Sequence, residues 1–111
     1  MVGSSSPVSF DSLSEEKRGR LRGLSKAVFG NRDRLEVAVA IARSDGFVNA
    51  TDLCRELDLA QSRIRNQLVA LADVGLLVSA SLGADERKRW YGRKTSPFWE
   101  LCNVLYEEWG A

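Results

Sequence analysis

The 111-residue sequence has no histidine, two cysteines, two prolines and one methionine. Without histidine, imidazole-based triads and histidine-ligated metal sites are excluded. Two cysteines cannot make a disulfide framework and are expected as free thiols. No apolar run approaches the roughly 20 residues needed to span a bilayer, so no membrane partner is expected. The opening MVGSSSPVSF lacks the charged start and apolar stretch of a secretory signal, which points to the cytoplasm. Also missing are a Gly-rich phosphate loop, a paired carboxylate site and a nucleophile–base pair. No enzymatic activity and no cofactor are therefore expected. Charge of one sign is lacking too: 16 basic against 15 acidic residues leave a net charge of +1.

What is present is soluble-protein composition, 44% hydrophobic and 28% charged. The length suits one domain, assigned to residues 11–111 behind a small, polar, disordered lead at 1–10. The charge is uneven. Residues 60–95 hold Arg63, Arg65, Arg87, Lys88, Arg89, Arg93 and Lys94 against Asp73, Asp85 and Glu86, a local surplus of +4. Local charge rather than the average decides where a polyanion docks.

Hydrophobic spacing predicts a first helix from Asp11 to Phe29, with Leu13, Leu21, Leu24 and Val28 near one face, Ser14 as a possible cap and Gly30 as its stop. Asn31 is expected to cap a second helix, Arg32 to Ser44, with Leu35, Ala38, Ile41 and Ala42 inward. Asp45-Gly46 is a turn, and Phe47-Val48 is too short to be a strand without a partner. A third helix, capped by Asn49 or Thr51, runs to about Leu57 and buries Leu53, Cys54 and Leu57. After a turn at Asp58-Leu59, a fourth runs from about Ala60 to Asp73 with Ile64, Leu68 and Leu71 inward, and stops at Gly75. Leu76–Leu82 and Arg87–Arg93 read as a hairpin around the loop Gly83–Glu86. Ser96-Pro97 then opens a last helix, whose apolar stripe is Phe98, Leu101, Cys102, Leu105, Tyr106 and Trp109.

The fold class is therefore mainly α with a small β hairpin, a winged helix-turn-helix in the order α-α-(β)-α-α-β-β-α. TDLCRELDLAQSRIRNQL, the junction ADVGLLV and a hairpin closing on RKRWYGR resemble the ArsR/MarR class of bacterial winged-helix transcription regulators, over residues 32–109. The resemblance implies a DNA-binding regulator, a repressor, whose fourth helix enters a groove while the wing lies on the backbone or minor groove. Three positions depart from the pattern: Cys54 replaces a frequent alanine, Asp58 a turn glycine, and Ala60 the Ser or Thr cap of the recognition helix. Asp58 could cap that helix instead if it starts earlier.

Stepping 100° per residue from Ile64 places Ser62 and Asn66 directly outward, Arg63 and Arg65 on opposite flanks and Gln61 at a shoulder. Arginine can take guanine, and Asn or Gln adenine, through paired hydrogen bonds. The expected DNA contacts are thus Gln61, Ser62, Arg63, Arg65 and Asn66, joined by Arg87, Lys88 and Arg89 of the wing. Outward-facing Val69 and Asp73 confine contact to the first two turns. Strand alternation sets Trp90 apart from Arg87, Arg89 and Tyr91, and Trp90 is expected to face the core. Asp85 and Glu86 at the wing tip oppose deep minor-groove insertion.

Cys54 occupies a position where some metal sensors of the resembled class carry a thiolate, but a lone cysteine on an inner helix face reads as core. Trp90, Phe98, Trp99, Tyr106 and Trp109 would suit an effector pocket. Packing is the simpler account of them, so no small-molecule effector is supported. The two flanking helices carry more apolar surface than one small core consumes. A homodimer is expected through Leu21, Leu24, Val28, Phe98, Trp99, Leu101, Cys102, Leu105, Tyr106 and Trp109, implying a palindromic DNA site. The competing reading is a protein-binding winged-helix adaptor in a larger complex, favoured by the near-zero net charge.

Overall fold

Ser14 starts the first helix: its Oγ accepts the Lys17 backbone N–H at 3.1 Å, and Glu15 and Glu16 occupy the first turn, where the helix dipole favours acid. The computed structural model describes residues 14–80 and 89–110. Outside that range lie the expected lead at 1–10, the proposed helix start at Asp11, the wing loop with Asp85 and Glu86, and Arg87 and Lys88. Helix α1 spans Glu15–Phe29 and ends at Gly30, whose φ of 75° places it in the left-handed region that glycine enters without strain.

Asn31 does not cap the second helix. Its Oδ1 accepts the Asp33 N–H at 2.9 Å, closing a short turn, so α2 begins at Arg34 and ends at Ala42 rather than spanning 32–44. Nor is α2 one-sided. Every residue from Leu35 to Ile41 is buried, because α1, α3, α4 and α5 all pack on it. Glu36 is among them, 0% exposed. Its Oε2 accepts from Arg18 Nε at 2.8 Å and its Oε1 from Arg22 Nε at 3.0 Å. Arg18 Nη2 in turn donates to the Leu57 carbonyl at 2.9 Å. A buried charge is tolerated only when paired in this way.

Asn49 caps α3 (Ala50–Leu57), accepting the Asp52 N–H at 2.9 Å. Asp58 turns the chain with φ 54° and ψ 49°, the left-handed conformation a short polar side chain tolerates. Helix α4 spans Gln61–Asp73 and buries Ile64, Leu68 and Leu71 as expected. Its end is a glycine stop at Gly75 (φ 85°), with the Leu76 N–H returning to the Leu71 carbonyl at 2.9 Å.

Phe47–Asn49 forms a strand, β1, because it has a partner. Strands β2 (Leu77–Ala80) and β3 (Trp90–Arg93) complete an antiparallel sheet in the order β1-β3-β2. The register aligns Val48 with Tyr91 and Ser79, and Phe47 with Gly92 and Val78. This pairing reverses the expected facing of the hairpin. Tyr91 is buried beside Val48, and Trp90 is half-buried on the other face. Alternation alone leaves that choice open; pairing with β1 makes it. Arg93 then ties the sheet to the core, its Nη1 donating to the Ile41 and Ala42 carbonyls at 2.7 and 2.9 Å at the end of α2.

Helix α5 (Pro97–Trp109) opens as expected, with Ser96 accepting the Phe98 N–H at 3.1 Å and Pro97 in the first turn. Its buried stripe is Trp99, Cys102 and Tyr106. From the predicted stripe, Phe98 and Leu105 are half-buried, while Leu101 and Trp109 are 48% and 41% exposed. Apolar residues surround most of α5, so spacing could not select the face that α2 and α1 cover. The observed order is the mainly helical winged helix-turn-helix predicted above.

Candidate nucleic-acid interface

Four directions around α4 have different surroundings. Ile64, Leu68 and Leu71 point into the core. Ser62 and Asn66 point away and are exposed, in the phase predicted from the sequence. On one flank, Gln61, Arg65, Leu68 and Val69 form a wall of a cleft of about 370 Å³. Asn49, Ala50 and Thr51 at the start of α3, with Arg89 just before β3 and Tyr91 within it, complete the cleft. Two arginines from different elements thus share one concavity, beside the N-terminal end of a helix. That combination attracts anions.

The opposite flank is occupied. Arg63 Nη2 and Nε donate to Asp33 Oδ1 and Oδ2 at 2.6 and 3.0 Å, a two-point pair. The hydrogen bond to Asp33 is the leading cause that raises the Arg63 pKa, holding the cation charged. One turn on, Gln67 is 2% exposed and uses both ends of its amide. Its Nε2 donates to Asn31 Oδ1 at 2.8 Å and its Oε1 accepts from Arg34 Nε at 2.6 Å. The α1–α2 turn therefore grips α4 along the Arg63–Gln67 side.

Ala60 sits at the N-cap of α4 in extended geometry (φ −61°, ψ 148°) and supplies no side-chain bond. The first N–H groups of an α-helix have no acceptor within it, so this end offers donors to an outside anion. Asp58 does not replace it as the cap of α4, since it ends α3 and α4 starts no earlier than Gln61.

The structure brings Gln61, Arg65 and Arg89 together in the cleft, leaves Ser62 and Asn66 exposed on the outward side of α4, and turns Arg63 toward Asp33. Arg87 and Lys88 lie outside the described residues. Among the proposed interface residues of the flanking helices, Leu21, Trp99, Cys102 and Tyr106 are buried in the protomer's own core. Leu24, Phe98 and Leu105 are half-buried against it, leaving Val28, Leu101 and Trp109 exposed. The aromatic residues pack edge-on, Phe98 with Phe29 at 5.9 Å and with Trp99 at 5.0 Å between centroids. Cys54 is half-buried, and Cys102 is fully buried with its thiol pushed up to about 12 by burial. Among the described residues no group of three His, Cys, Asp or Glu is placed to share a metal ion, and no helix is long and apolar enough to cross a membrane.

Sequence reasoning missed Asp33, Asn31, Arg34 and Gln67 as the grip on α4, and Asn49 and Thr51 as the far wall of the cleft. One signal was available: Gln67 lies four residues after Arg63, on the same helix flank.

No protein-family model and no curated relative matches the chain. Solved structures do. Wild-type MarR from E. coli in its apo form superposes with a TM-score of 0.67 at 14% identity, covering 96% of this chain and 80% of that one. AbsC, a MarR family transcriptional regulator from Streptomyces coelicolor, gives 0.61 at 18% identity over 84% of this chain and 63% of its own. A point mutant of MepR from S. aureus gives 0.59 at 16% identity, over 84% of this chain and 70% of that one. The chain has the winged helix-turn-helix fold of MarR.

Proposed function

We propose that this chain is a sequence-specific DNA-binding transcriptional regulator, a repressor, that acts as a homodimer on a palindromic site. The observation that carries the reading is the concave face on which the free side of α4 and the wing sheet meet. Arg65 and Arg89 line its cleft, and Ser62 and Asn66 project beside it. With the start of α4 in a major groove, Asn66, Gln61 and Arg65 have the donor and acceptor groups to read base edges. Ser62 and the uncapped N–H groups of the first turn suit a phosphate. Arg89, with Arg87 and Lys88 beside it in sequence, suits the backbone alongside. The fold shared with AbsC, a transcriptional regulator, is consistent with this reading.

The dimer is supported by Leu101, Val104 and Trp109, large apolar side chains that α5 leaves exposed, and by Val28 on α1. Two-fold symmetry would place half-sites about 34 Å apart.

The test is selection of bound duplexes from a random DNA pool, followed by salt titration. A palindrome is expected. Arg65→Ala should cost about 1–3 kcal/mol and relax one position of each half-site. Arg89→Ala should weaken all sequences alike and reduce the salt slope by about 1. Retention on neither heparin nor random DNA would defeat the reading. It would favour the adaptor function instead, for which the exposed Phe47 and Val78 on the outer sheet face offer an apolar docking row.

A further inference from the structure

We infer that Arg63 is a positioning residue rather than a base reader: with Asp33 it clamps the recognition helix to the α1–α2 turn, so that of the two flanking arginines only Arg65 is left to read bases. The inference rests on the DNA-binding reading above. From the sequence, Arg63 and Arg65 are equivalent, mirror-related about Ile64 and both at the exposed start of α4. The structure breaks that equivalence. Arg65 opens onto the cleft with Gln61 and Arg89, while both carboxylate oxygens of Asp33 are engaged by Arg63.

Three observations make the Arg63 contact a clamp rather than an incidental surface pair. The acceptor is not a mobile surface carboxylate: the Asp33 side chain is 13% exposed. Asp33 is held from behind, its N–H bonded to Asn31 Oδ1 in the turn that starts α2. The same turn makes a second attachment one helical turn along, where Gln67 bridges Asn31 and Arg34. Two attachments four residues apart on one flank fix both the axial position and the rotation of α4. Ser25 extends the mount into α1, donating to the Asn31 carbonyl and accepting the Leu35 N–H at 2.9 Å. Small misplacements of a reading helix spoil paired hydrogen bonds to bases, so a clamp of this kind influences affinity without contacting a base.

The test compares the parent with Arg63→Ala, Asp33→Ala and the double variant, using random-pool selection, affinity for the selected duplex and amide hydrogen exchange without DNA. Both single variants should select the parent's consensus and lose about tenfold in affinity, and the double variant should be no weaker than the weaker single. Exchange at Ile64–Leu68 should quicken in both. The inference is overturned if Arg63→Ala loses a consensus position that Asp33→Ala retains, or if the losses of the two singles simply multiply. Should the parent bind no DNA, the functional reading fails by itself. Exchange still decides the clamp, and unchanged rates in both variants would overturn it.

Discussion

Glu36 is a carboxylate inside a nearly continuous apolar stretch, LEVAVAIA, and lies outside the inward stripe of Leu35, Ala38, Ile41 and Ala42 expected from spacing. It is fully buried, and Arg18 and Arg22 neutralise it from α1 while Arg18 also satisfies the last carbonyl of α3. Replacing one partner of such a cluster leaves uncompensated buried charge. Glu36→Gln is expected to destabilise the fold by about 3 kcal/mol in urea unfolding; a loss within about 0.5 kcal/mol would show that the pairing contributes little. A second residue-scale expectation concerns pH. Burial pushes the Cys102 thiol from its ordinary 9.0 up to about 12. The unfolded chain releases this proton from pH 9 upward while the folded one retains it. Stability is therefore at its full value below pH 9 and declines as pH rises toward 12. Burial raises the Tyr106 phenol as well, opposed by Arg43, and so adds to the decline at higher pH. Urea midpoints at pH 8 and pH 10 should differ in this direction, and Cys102→Ala should lessen the difference.

Among the elements, α4 shows most clearly how a helix is divided among tasks. One side is core, one is clamped, one borders the cleft, and the apex at Ser62 and Asn66 is free. A helical wheel drawn from the sequence places all of these residues at the correct angles. Angles do not reveal that the neighbour beside Arg63 is an aspartate, because Asp33 comes from another element 30 residues earlier. The absence of a side-chain cap at Ala60 is a stability deficit as well as an opening for an anion. Ala60→Ser should raise stability by about 1 kcal/mol, read from thermal or urea unfolding. Helix α5 and the sheet illustrate the reverse difficulty. Pattern locates both but reverses the facing of the strand and places that of α5 only in part: Tyr91 rather than Trp90 is buried, and Trp99 joins the expected Cys102 and Tyr106 while Leu101 is exposed. A helix apolar on most sides and a strand of alternating bulky residues each have two faces that could be buried.

For the molecule as a whole, the first and last helices were expected to be dimerisation elements, and the fold uses part of them as core. Trp99, Cys102 and Tyr106 of α5 pack inward, and Leu21 of α1 is fully buried. The exposed remainder, Leu101, Val104 and Trp109, is therefore where the proposed dimer is best tested. The parent should sediment at twice its 12.3 kDa. Leu101→Glu with Trp109→Glu should give a folded monomer with the parent's circular dichroism, since neither side chain belongs to the buried core. A parent that is monomeric at micromolar concentration removes the dimer, and with it the expectation of a palindrome.

The order of elements, their ends at Gly30, Gly75 and Ser96, the inward residues of α4 and the outward pair Ser62 and Asn66 all follow from the sequence by itself. Each is a local matter of capping, backbone conformation or helical phase, decided within a few residues of chain. Which face of the wing and of α5 is buried, the pairing of Phe47–Asn49 into the sheet, the neutralisation of Glu36 and the different surroundings of Arg63 and Arg65 were decided only by the tertiary structure. These depend on partners distant in the chain, as Arg22 is from Glu36, Arg63 from Asp33 and Tyr91 from Val48. A side chain's angle on its own helix or strand carries no information about what the fold sets opposite it.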